Sequence, residues 1–136
     1  MYSFRVVTPH GITYADEVDS ATLPTQSGEI TILANHAKLV SVLKPGELVI
    51  RKKDDVIALA VSGGVIEVRD NGEVSVLADT AERAEHIDVE RAETARLRAH
   101  ELLAAAQVTD DMDFARIQAA IEKEMARIKV GKKYKR

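Results

Sequence analysis

The sequence contains no cysteine and no tryptophan, and it has few other aromatic residues, with three Tyr and two Phe. Without cysteine it forms neither disulfide bonds nor thiolate metal sites, and its redox compartment stays undetermined. No apolar run approaches the roughly 20 residues of a membrane-spanning helix. Residues 1–5 lack the charged and apolar segments of a secretory signal. We therefore expect a cytosolic or membrane-peripheral protein.

The sequence also lacks the residue sets of common active sites. Its four histidines have no metal-ligand spacing; they are His10, His36, His86 and His100. Ser62–Gly64 has neither Walker nor Rossmann spacing, and a turn or bulge is the favoured interpretation. Asp54–Asp55 and Asp110–Asp111 are more simply loop and cap residues than paired catalytic carboxylates. We expect neither a metal site nor an isolated catalytic centre.

The formal charge of −3 is distributed unevenly along the chain. Residues 1–84 carry 8 basic and 12 acidic residues, a net of −4, and residues 85–136 carry 11 and 10, a net of +1. Residues 121–136 hold 7 basic and 2 acidic residues, a local +5. This basic end predicts an acidic partner surface or an anionic ligand, and a solvated tail explains it equally well.

The first part of the chain has the pattern of an all-β domain. Short segments rich in β-branched residues alternate with turn signals such as Pro9–Gly11, Lys44–Gly46 and Asn71–Gly72. This pattern predicts a β-sandwich or small barrel of about ten short strands over residues 1–84. The clearest strands are 2–8, 12–14, 18–23, 28–33, 39–43, 47–51, 56–61, 65–68 and 73–77.

The apolar period changes from two to between three and four near residue 85. Asp88 is the expected cap of a first helix, and after a link at residues 107–111 a second helix starts at Asp111 or Asp113 and ends at Gly131. So short a link predicts an antiparallel two-helix hairpin over residues 85–136, which makes the fold class α+β in two segregated parts. The apolar faces are Ala92, Ala95, Ala99, Leu102, Leu103 and Ala106 on the first helix, and Phe114, Ile117, Ile121, Met125 and Ile128 on the second.

Alanine dominates the apolar face of the first helix, so the hairpin buries little area per residue. At about 25 cal/mol per Å² of buried apolar surface such a seam is weak. Two helices alone enclose no core, and these two must pack on the β-domain or on another protein. We hypothesise that the hairpin is a mobile element.

Four cations of the predicted hairpin lie at helical spacings. Arg91 and Arg98 are seven residues apart on the first helix, and Lys123 and Arg127 are four apart on the second. In a closed hairpin they could converge on one polyphosphate, each arginine offering a forked donor. From spacing alone, ordinary solvent-facing charge is the favoured interpretation.

Motifs along essentially the whole chain resemble those of one family, the epsilon subunits of bacterial-type rotary F-type ATP synthases. Each motif is modest alone, but their order and spacing together are specific. They are Gly28-Glu29-x-x-Ile32-Leu33-x-x-His36, Val61-Ser62-Gly63-Gly64-Val65-Ile66-Glu67-Val68, Val76-Leu77-Ala78-Asp79-Thr80-Ala81 and the stretch at residues 87–92.

The resemblance implies a non-catalytic central-stalk subunit at the cytoplasmic face of the bacterial cell membrane, peripheral and held there through its complex. The β-domain would couple the gamma subunit to the c-ring in proton-driven ATP synthesis. By resemblance, Glu29 contacts the ring and His36 lies in the region facing gamma. The hairpin would allow turnover when folded down, and when extended it would restrain ATP hydrolysis, its basic residues meeting an acidic loop of the beta subunits.

Some family members bind ATP in the folded-down state through an Ile/Leu-Asp-x-x-Arg-Ala motif, which Ile87, Asp88, Arg91 and Ala92 match. The resemblance thus implies ATP as a regulatory ligand, with no required cofactor. Supporting contacts are expected at Glu82, Arg98, Lys123 and Arg127, where Lys123 replaces an arginine and loses its fork. The chain also has Thr31, Ala34 and Lys38 where the family usually has Gly, Pro and Pro, so the loop near the ring takes its own path.

Two other classes of function stay open at this point. A free-standing ATP-binding sensor would bind nucleotide but form no stable complex with gamma. A nucleic-acid-binding barrel would need aromatic residues on a basic sheet, and it ranks last because residues 1–84 are acidic and aromatics make up 4% of the chain.

Overall fold

The computed structural model describes residues 1–105 and 111–134. Ten strands are followed by a 3₁₀ turn at Ala84–His86 and by two helices, which confirms the predicted fold class. The strands are β1 (Tyr2–Thr8), β2 (Gly11–Val18), β3 (Ser20–Thr25), β4 (Gly28–Leu33), β5 (Leu39–Leu43), β6 (Gly46–Lys52), β7 (Asp55–Val61), β8 (Gly64–Val68), β9 (Val74–Ala78) and β10 (Ala81–Arg83). The helices are α1 (Val89–Ala105) and α2 (Asp111–Lys133).

The strands form one sheet that wraps around a single core. Its order is β10-β7-β6-β3-β5-β8-β9-β1-β2, with β4 paired to β3. All described pairings are antiparallel except that of β1 with β9. Strand β2 lies at one end of this order and β6 near the other end, and contacts between them curve the sheet back on itself. An ion pair of 2.7 Å between Lys52 Nζ and Asp16 Oδ2 joins these two strands.

The core follows from the alternation of apolar residues along the strands. In β1, for example, Tyr2, Phe4 and Val6 are buried while the residues between them are exposed. The Tyr2 hydroxyl donates a 2.6 Å hydrogen bond to the carbonyl oxygen of Ile32 across the core, so the one polar atom of this row is satisfied. The largest fully buried side chains are Phe4, Leu23, Ile32, Leu43, Leu48, Ile50, Leu59 and Ile66.

Two of the predicted turn segments contain a glycine, and each glycine is needed for a different structural reason. At Asn71–Gly72 the backbone reverses with Gly72 at φ +87°, and the Asn71 side chain accepts a hydrogen bond from the Glu73 amide. Gly64 instead begins β8, where a Cβ would collide with the carbonyl oxygen of Leu77 on β9. The second glycine of Ser62–Gly64 therefore permits close strand packing.

The start of α1 is capped as predicted, and the hairpin is antiparallel. The Asp88 carboxylate accepts a 3.1 Å hydrogen bond from the Arg91 amide. Near the end of α2, Lys132 forms a 3.0 Å ion pair with Glu93 in the second turn of α1. Helix α2 starts at Asp111. Ala106 and residues 107–110 of the predicted link lie outside the described residues, as does the side chain of Asp113.

The predicted apolar faces of the hairpin are only partly right. Ala92, Ala99 and Ile121 are buried, as expected. However, Leu102, Phe114 and Met125 are 59%, 48% and 53% exposed, so this part of the predicted apolar faces is not packed. Helical spacing places these residues on one side of each helix, but within residues 1–105 and 111–134 they are covered only in part.

The prediction that Gly131 ends the second helix was also wrong, since α2 continues to Lys133. Gly131 is buried inside the helix, where a Cβ would lie 2.6 Å from Val89 Cγ2 and 3.0 Å from Ile87 Cγ2. This glycine therefore allows the end of α2 to approach the start of α1, and it does not act as a cap.

The hairpin rests on β6 and β7 through a small apolar contact. A separate cluster of buried residues forms there, made of Ala58, Ala60, Ala84 and Val130, with Ile87 and Tyr134 packed against it. Most of these side chains are small, and at about 25 cal/mol per Å² they stabilise the contact far less than the sandwich core is stabilised.

Candidate functional site

The predicted ATP motif lies at the junction between the sandwich and the hairpin. A cavity of about 350 Å³ opens there, between the start of α1 and the end of α2. Ile87, Val89 and Gly131 supply apolar wall, while Glu85, Asp88 and Glu90 supply carboxylates. Since none of the lining residues is basic, this cavity alone does not attract phosphate.

Arg127 of α2 is the predicted cation whose side chain is fixed by hydrogen bonds. Its Nε donates a 2.8 Å hydrogen bond to Glu82 Oε2 on β10, and its Nη2 reaches Glu82 Oε1 at 3.5 Å. Its Nη1 donates a 2.8 Å hydrogen bond to Glu124 Oε2 on α2. Burial opposes the charge of Arg127, but the contacts with Glu82 and then Glu124 outweigh it and raise the pKa of the guanidinium.

The other three predicted cations are placed differently. Arg91 and Arg98 are exposed on α1, and Lys123 is half-buried beside a second cavity of about 470 Å³ between α2 and the sandwich. In the described part of the chain, none of the three side chains forms an ion pair or a hydrogen bond. The structure thus joins Glu82 with Arg127 directly and Asp88 with Arg91 through the cap. ATP binding at these residues stays a prediction.

The apolar members of the motif serve the fold of the junction. Ala92 is fully buried, and Ile87 packs on the small apolar cluster where the hairpin meets the sheet. These positions therefore set where α1 begins and hold the capped first turn of α1 against the sandwich. A ligand at the junction would meet their neighbours Asp88 and Arg91 first, because both side chains are exposed.

Sequence reasoning missed a second polar attachment of the hairpin. Glu47 of β6 accepts hydrogen bonds of 3.0 and 3.1 Å from Lys133 and one of 2.6 Å from the Tyr134 hydroxyl. The bond to Glu47 raises the pKa of Lys133, while burial and then Glu47 raise that of Tyr134. Only the local charge of +5 at residues 121–136 pointed towards it.

Sequence reasoning also missed an exposed apolar row on the sandwich. Val42, Val65 and Leu77 are paired in register across β5, β8 and β9, and the row continues through Val7 of β1 to Ile12 of β2. Paired residues face the same side of a sheet, and four of these five are 41–64% exposed. The available signal was the near-continuous apolar character of residues 39–43 and 74–78, which is typical of strands covered on both faces.

The residues carried over as partner contacts lie near β4. Glu29 is exposed in β4, opposite Pro24 of β3, directly after the turn at Gly28. His36 is half-buried beyond the end of β4, with its Nδ1 2.7 Å from the Ala37 carbonyl oxygen. Asn35 precedes it at φ 63°, a left-handed conformation that turns the chain sharply. Their contacts with c-ring and gamma stay predictions.

The described residues contain neither a metal-binding cluster nor a membrane-spanning helix. Across residues 1–105 and 111–134, no three His, Cys, Asp or Glu side chains are grouped so as to hold a metal ion. Neither helix, over the same residues, is long and apolar enough to cross a membrane.

These features define a two-part protein: a sheet wrapped into a sandwich with an exposed apolar row, followed by a lightly attached helical hairpin. Two family models match the chain: the beta-sandwich domain of the ATP synthase delta/epsilon chain over residues 1–84, and its long alpha-helix domain over residues 85–132. The chain belongs to the ATP synthase delta/epsilon chain family.

Individual relatives agree with this assignment. The ATP synthase epsilon chain of Desulforamulus reducens is 41% identical over 126 residues, which is 93% of each chain. A chain in the Euglena gracilis mitochondrial ATP synthase structure, with OSCP, F1 and c-ring, matches at TM-score 0.75 and 25% identity over 92% of this chain and 78% of that one. A chain of the Tetrahymena thermophila mitochondrial ATP synthase central stalk and c-ring matches in fold, at TM-score 0.62 and 16% identity over 97% and 94% of the two chains.

Proposed function

We propose that this central-stalk subunit is non-catalytic, with residues 1–84 coupling the gamma subunit to the c-ring and residues 85–136 acting as a regulatory arm. The observation that supports docking most directly is the exposed apolar row from Val42 to Ile12. A contiguous apolar strip on a soluble protein marks a surface that a partner covers. Gamma is the proposed partner of this row.

The row adjoins the hairpin, which links docking to regulation. Val42 lines the cavity of about 470 Å³ whose other wall includes Ala119 and Ala120 of α2. A partner seated on the row therefore also reaches the middle of α2. This geometry supports a hairpin whose position responds to the stalk.

Co-purification with gamma tests the docking surface. Val65→Asp puts a charge at the centre of the row and is expected to abolish the complex, because an unpaired charge would be buried. Val56→Asp is the matched control: Val56 is 56% exposed on β7, outside the row, and Val65 is 41% exposed. Equal retention of gamma by both variants, each with normal melting, would contradict the assignment of the row.

The remaining contacts belong to the same proposal. Glu29, exposed directly after the β3–β4 turn, would face the c-ring, and His36 would face gamma. The basic end of α2 would meet an acidic loop of the beta subunits when the hairpin is extended. The complex would be peripheral at the cytoplasmic face of a bacterial membrane and would serve proton-driven ATP synthesis. A Glu29→Lys variant that assembles with gamma but loses the c-ring would support the first of these contacts.

The hairpin is proposed to bind ATP in the folded-down state and to inhibit ATP hydrolysis when extended. Arg91, Arg98, Lys123 and Arg127 would supply the cations, with Glu82, Ile87, Asp88 and Ala92 as the remaining contacts. A ligand that binds only the compact state shifts the equilibrium by its differential affinity, about 1.4 kcal/mol for each tenfold. The ion pair between Arg127 on α2 and Glu82 on β10 supports a site that exists only when the hairpin is down.

Calorimetric titration with ATP tests this part. Saturable binding that Arg91→Ala and Arg127→Ala both lose would support it, and Arg96→Ala is the matched control because Arg96 lies on α1 outside the proposed ligand set. Binding that survives both substitutions would contradict it. A free-standing ATP sensor, the alternative, is separated by the gamma experiment, since it predicts nucleotide affinity without a stable stalk complex.

A further inference from the structure

Arg127, the cation of the proposed ATP site that forms ion pairs within the described residues, already binds two carboxylates. Its side chain is 21% exposed, and those of Glu82 and Glu124 are 33% and 10% exposed. Glu82 is among the expected ATP contacts, but Glu124 is not. Glu124 lies one turn before Arg127 on the same helix and is one of four buried polar or charged residues of the described chain.

The charge of this group disfavours an approaching phosphate. Two carboxylates and one guanidinium sum to −1, so this group by itself repels a polyphosphate, against the attraction of the other cations of the proposed site. Three of the five guanidinium N–H donors are used, and the Nη1 bond to Glu124 is short and charge-assisted. Because Glu124 is buried, water screens this interaction little.

We propose that Glu124 is an internal competitor of ATP phosphate at Arg127, and that it sets the nucleotide affinity of the hairpin. This inference rests on the proposed ATP-binding function and deepens it. When a phosphate binds, the Nη1–H group of Arg127 stops donating its hydrogen bond to the Glu124 carboxylate and donates it to a phosphate oxygen instead. The Glu82 bonds can persist on the other edge of the guanidinium, so the hairpin stays attached to the sandwich during the exchange.

Removing the charge of Glu124 should therefore tighten binding. In Glu124→Gln the side chain keeps its shape and its amide oxygen still accepts from Arg127, but the group becomes neutral. We expect ATP affinity to rise about tenfold, which corresponds to about 1.4 kcal/mol. The affinity for inorganic tripolyphosphate should rise by a similar factor, because Glu124 competes with the phosphate groups and not with the nucleoside.

The test is calorimetric titration of the full chain and its variants with ATP and with tripolyphosphate, with helical circular dichroism as a check of folding. Glu122→Gln is the matched control. It makes the same change of net charge two residues away, at an exposed position of α2. Its affinity should stay within about twofold of the parent, because solvent screens an exposed charge. Glu124→Ala is a second variant that removes the acceptor as well as the charge.

Each outcome separates this inference from the function on which it rests. Tighter binding by Glu124→Gln than by Glu122→Gln supports the competition, even where the parent itself binds no ATP. An equal rise in ATP affinity in Glu124→Gln and Glu122→Gln would show a general effect of net charge and would overturn the proposed competition. Unchanged or weaker binding by both Glu124 variants, with Arg127→Ala losing ATP, overturns the competition but leaves the ATP site standing. No binding by any variant overturns both.

Discussion

Replacing Gly131 by alanine tests whether close approach of the two helix ends holds the hairpin together. The new Cβ would lie 2.6 Å from Val89 Cγ2 and 3.0 Å from Ile87 Cγ2. Both neighbours are β-branched, so their χ1 angles resist the rotation that would make room. The ends of α1 and α2 must therefore move apart, at the junction where the ATP motif lies.

Two opposing terms set the size of the effect. Overpacking costs about 1–3 kcal/mol, whereas alanine favours a helix interior over glycine by about 1 kcal/mol. The expected net destabilisation of the hairpin is thus about 0–2 kcal/mol, too wide a range to be decisive alone. Adding Val89→Ala removes the closest methyl group and separates the two terms. In the double variant the steric cost largely disappears, so the coupling energy should be about 1–2 kcal/mol and favourable.

Amide hydrogen exchange of α2 is the suitable assay because it reports local opening of the hairpin as well as global unfolding. Gly131→Ala should speed exchange over the last two turns of α2, and Val89→Ala should restore protection there. Ala104→Gly is a control for helix propensity, placed in α1 away from the junction. Additive effects of the two junction substitutions, with no coupling, would refute the argument that Gly131 is required by close packing.

Three further predictions concern the sandwich and the second attachment. Gly64→Ala should destabilise the sandwich by about 3 kcal/mol or more in urea unfolding, because its Cβ meets backbone of β9. Leu23→Ala, at a fully buried position, should cost about 2–5 kcal/mol by the same measurement. Since the pKa values of Lys133 and Tyr134 are raised in the folded state, their contribution is complete below pH ~10 and is lost as pH rises through the folded values. Hydrogen exchange at the end of α2 should accelerate over that range. Glu47→Gln should weaken this dependence and lower the pKa of Tyr134 in a spectrophotometric titration, while the part of the shift caused by burial stays.

The strands were predictable because their signals are local. Alternating burial and flanking turn residues place residues 2–8, 28–33 and 39–43 as strands, and the structure has the same bounds. The parallel pairing of β1 with β9 was not predictable, since it joins segments about 70 residues apart and no local pattern encodes it. The strand inventory therefore followed from the sequence, while the sheet order did not.

The hairpin shows where helical periodicity stops being informative. Periodicity identifies which residues share a face of a helix, but not which face meets a partner. Phe114 and Met125 share the helical spacing of buried Ile121, yet they are exposed, whereas Val130 packs on the sandwich. The same limit applies to Arg127: spacing placed it in a cation cluster, and only the fold shows the two carboxylates that hold it.

The way the hairpin is attached bears on how it could be released. Its apolar contact with the sheet is made of small side chains, so detachment exposes little apolar surface and costs little by area. Its polar attachments are Glu82 with Arg127, and Glu47 with Lys133 and Tyr134. Ion pairs of this kind are partly screened, and carboxylates elsewhere can replace them. We infer that an acidic surface on a partner could take over the basic end of α2, exchanging one set of carboxylates for another without breaking the sandwich core. Lys133→Gln and Glu47→Gln should then have different effects. Both free the end of α2 from the sandwich, but only Lys133→Gln also weakens binding of this end to the partner. Binding of the extended hairpin to isolated beta subunits would measure the difference.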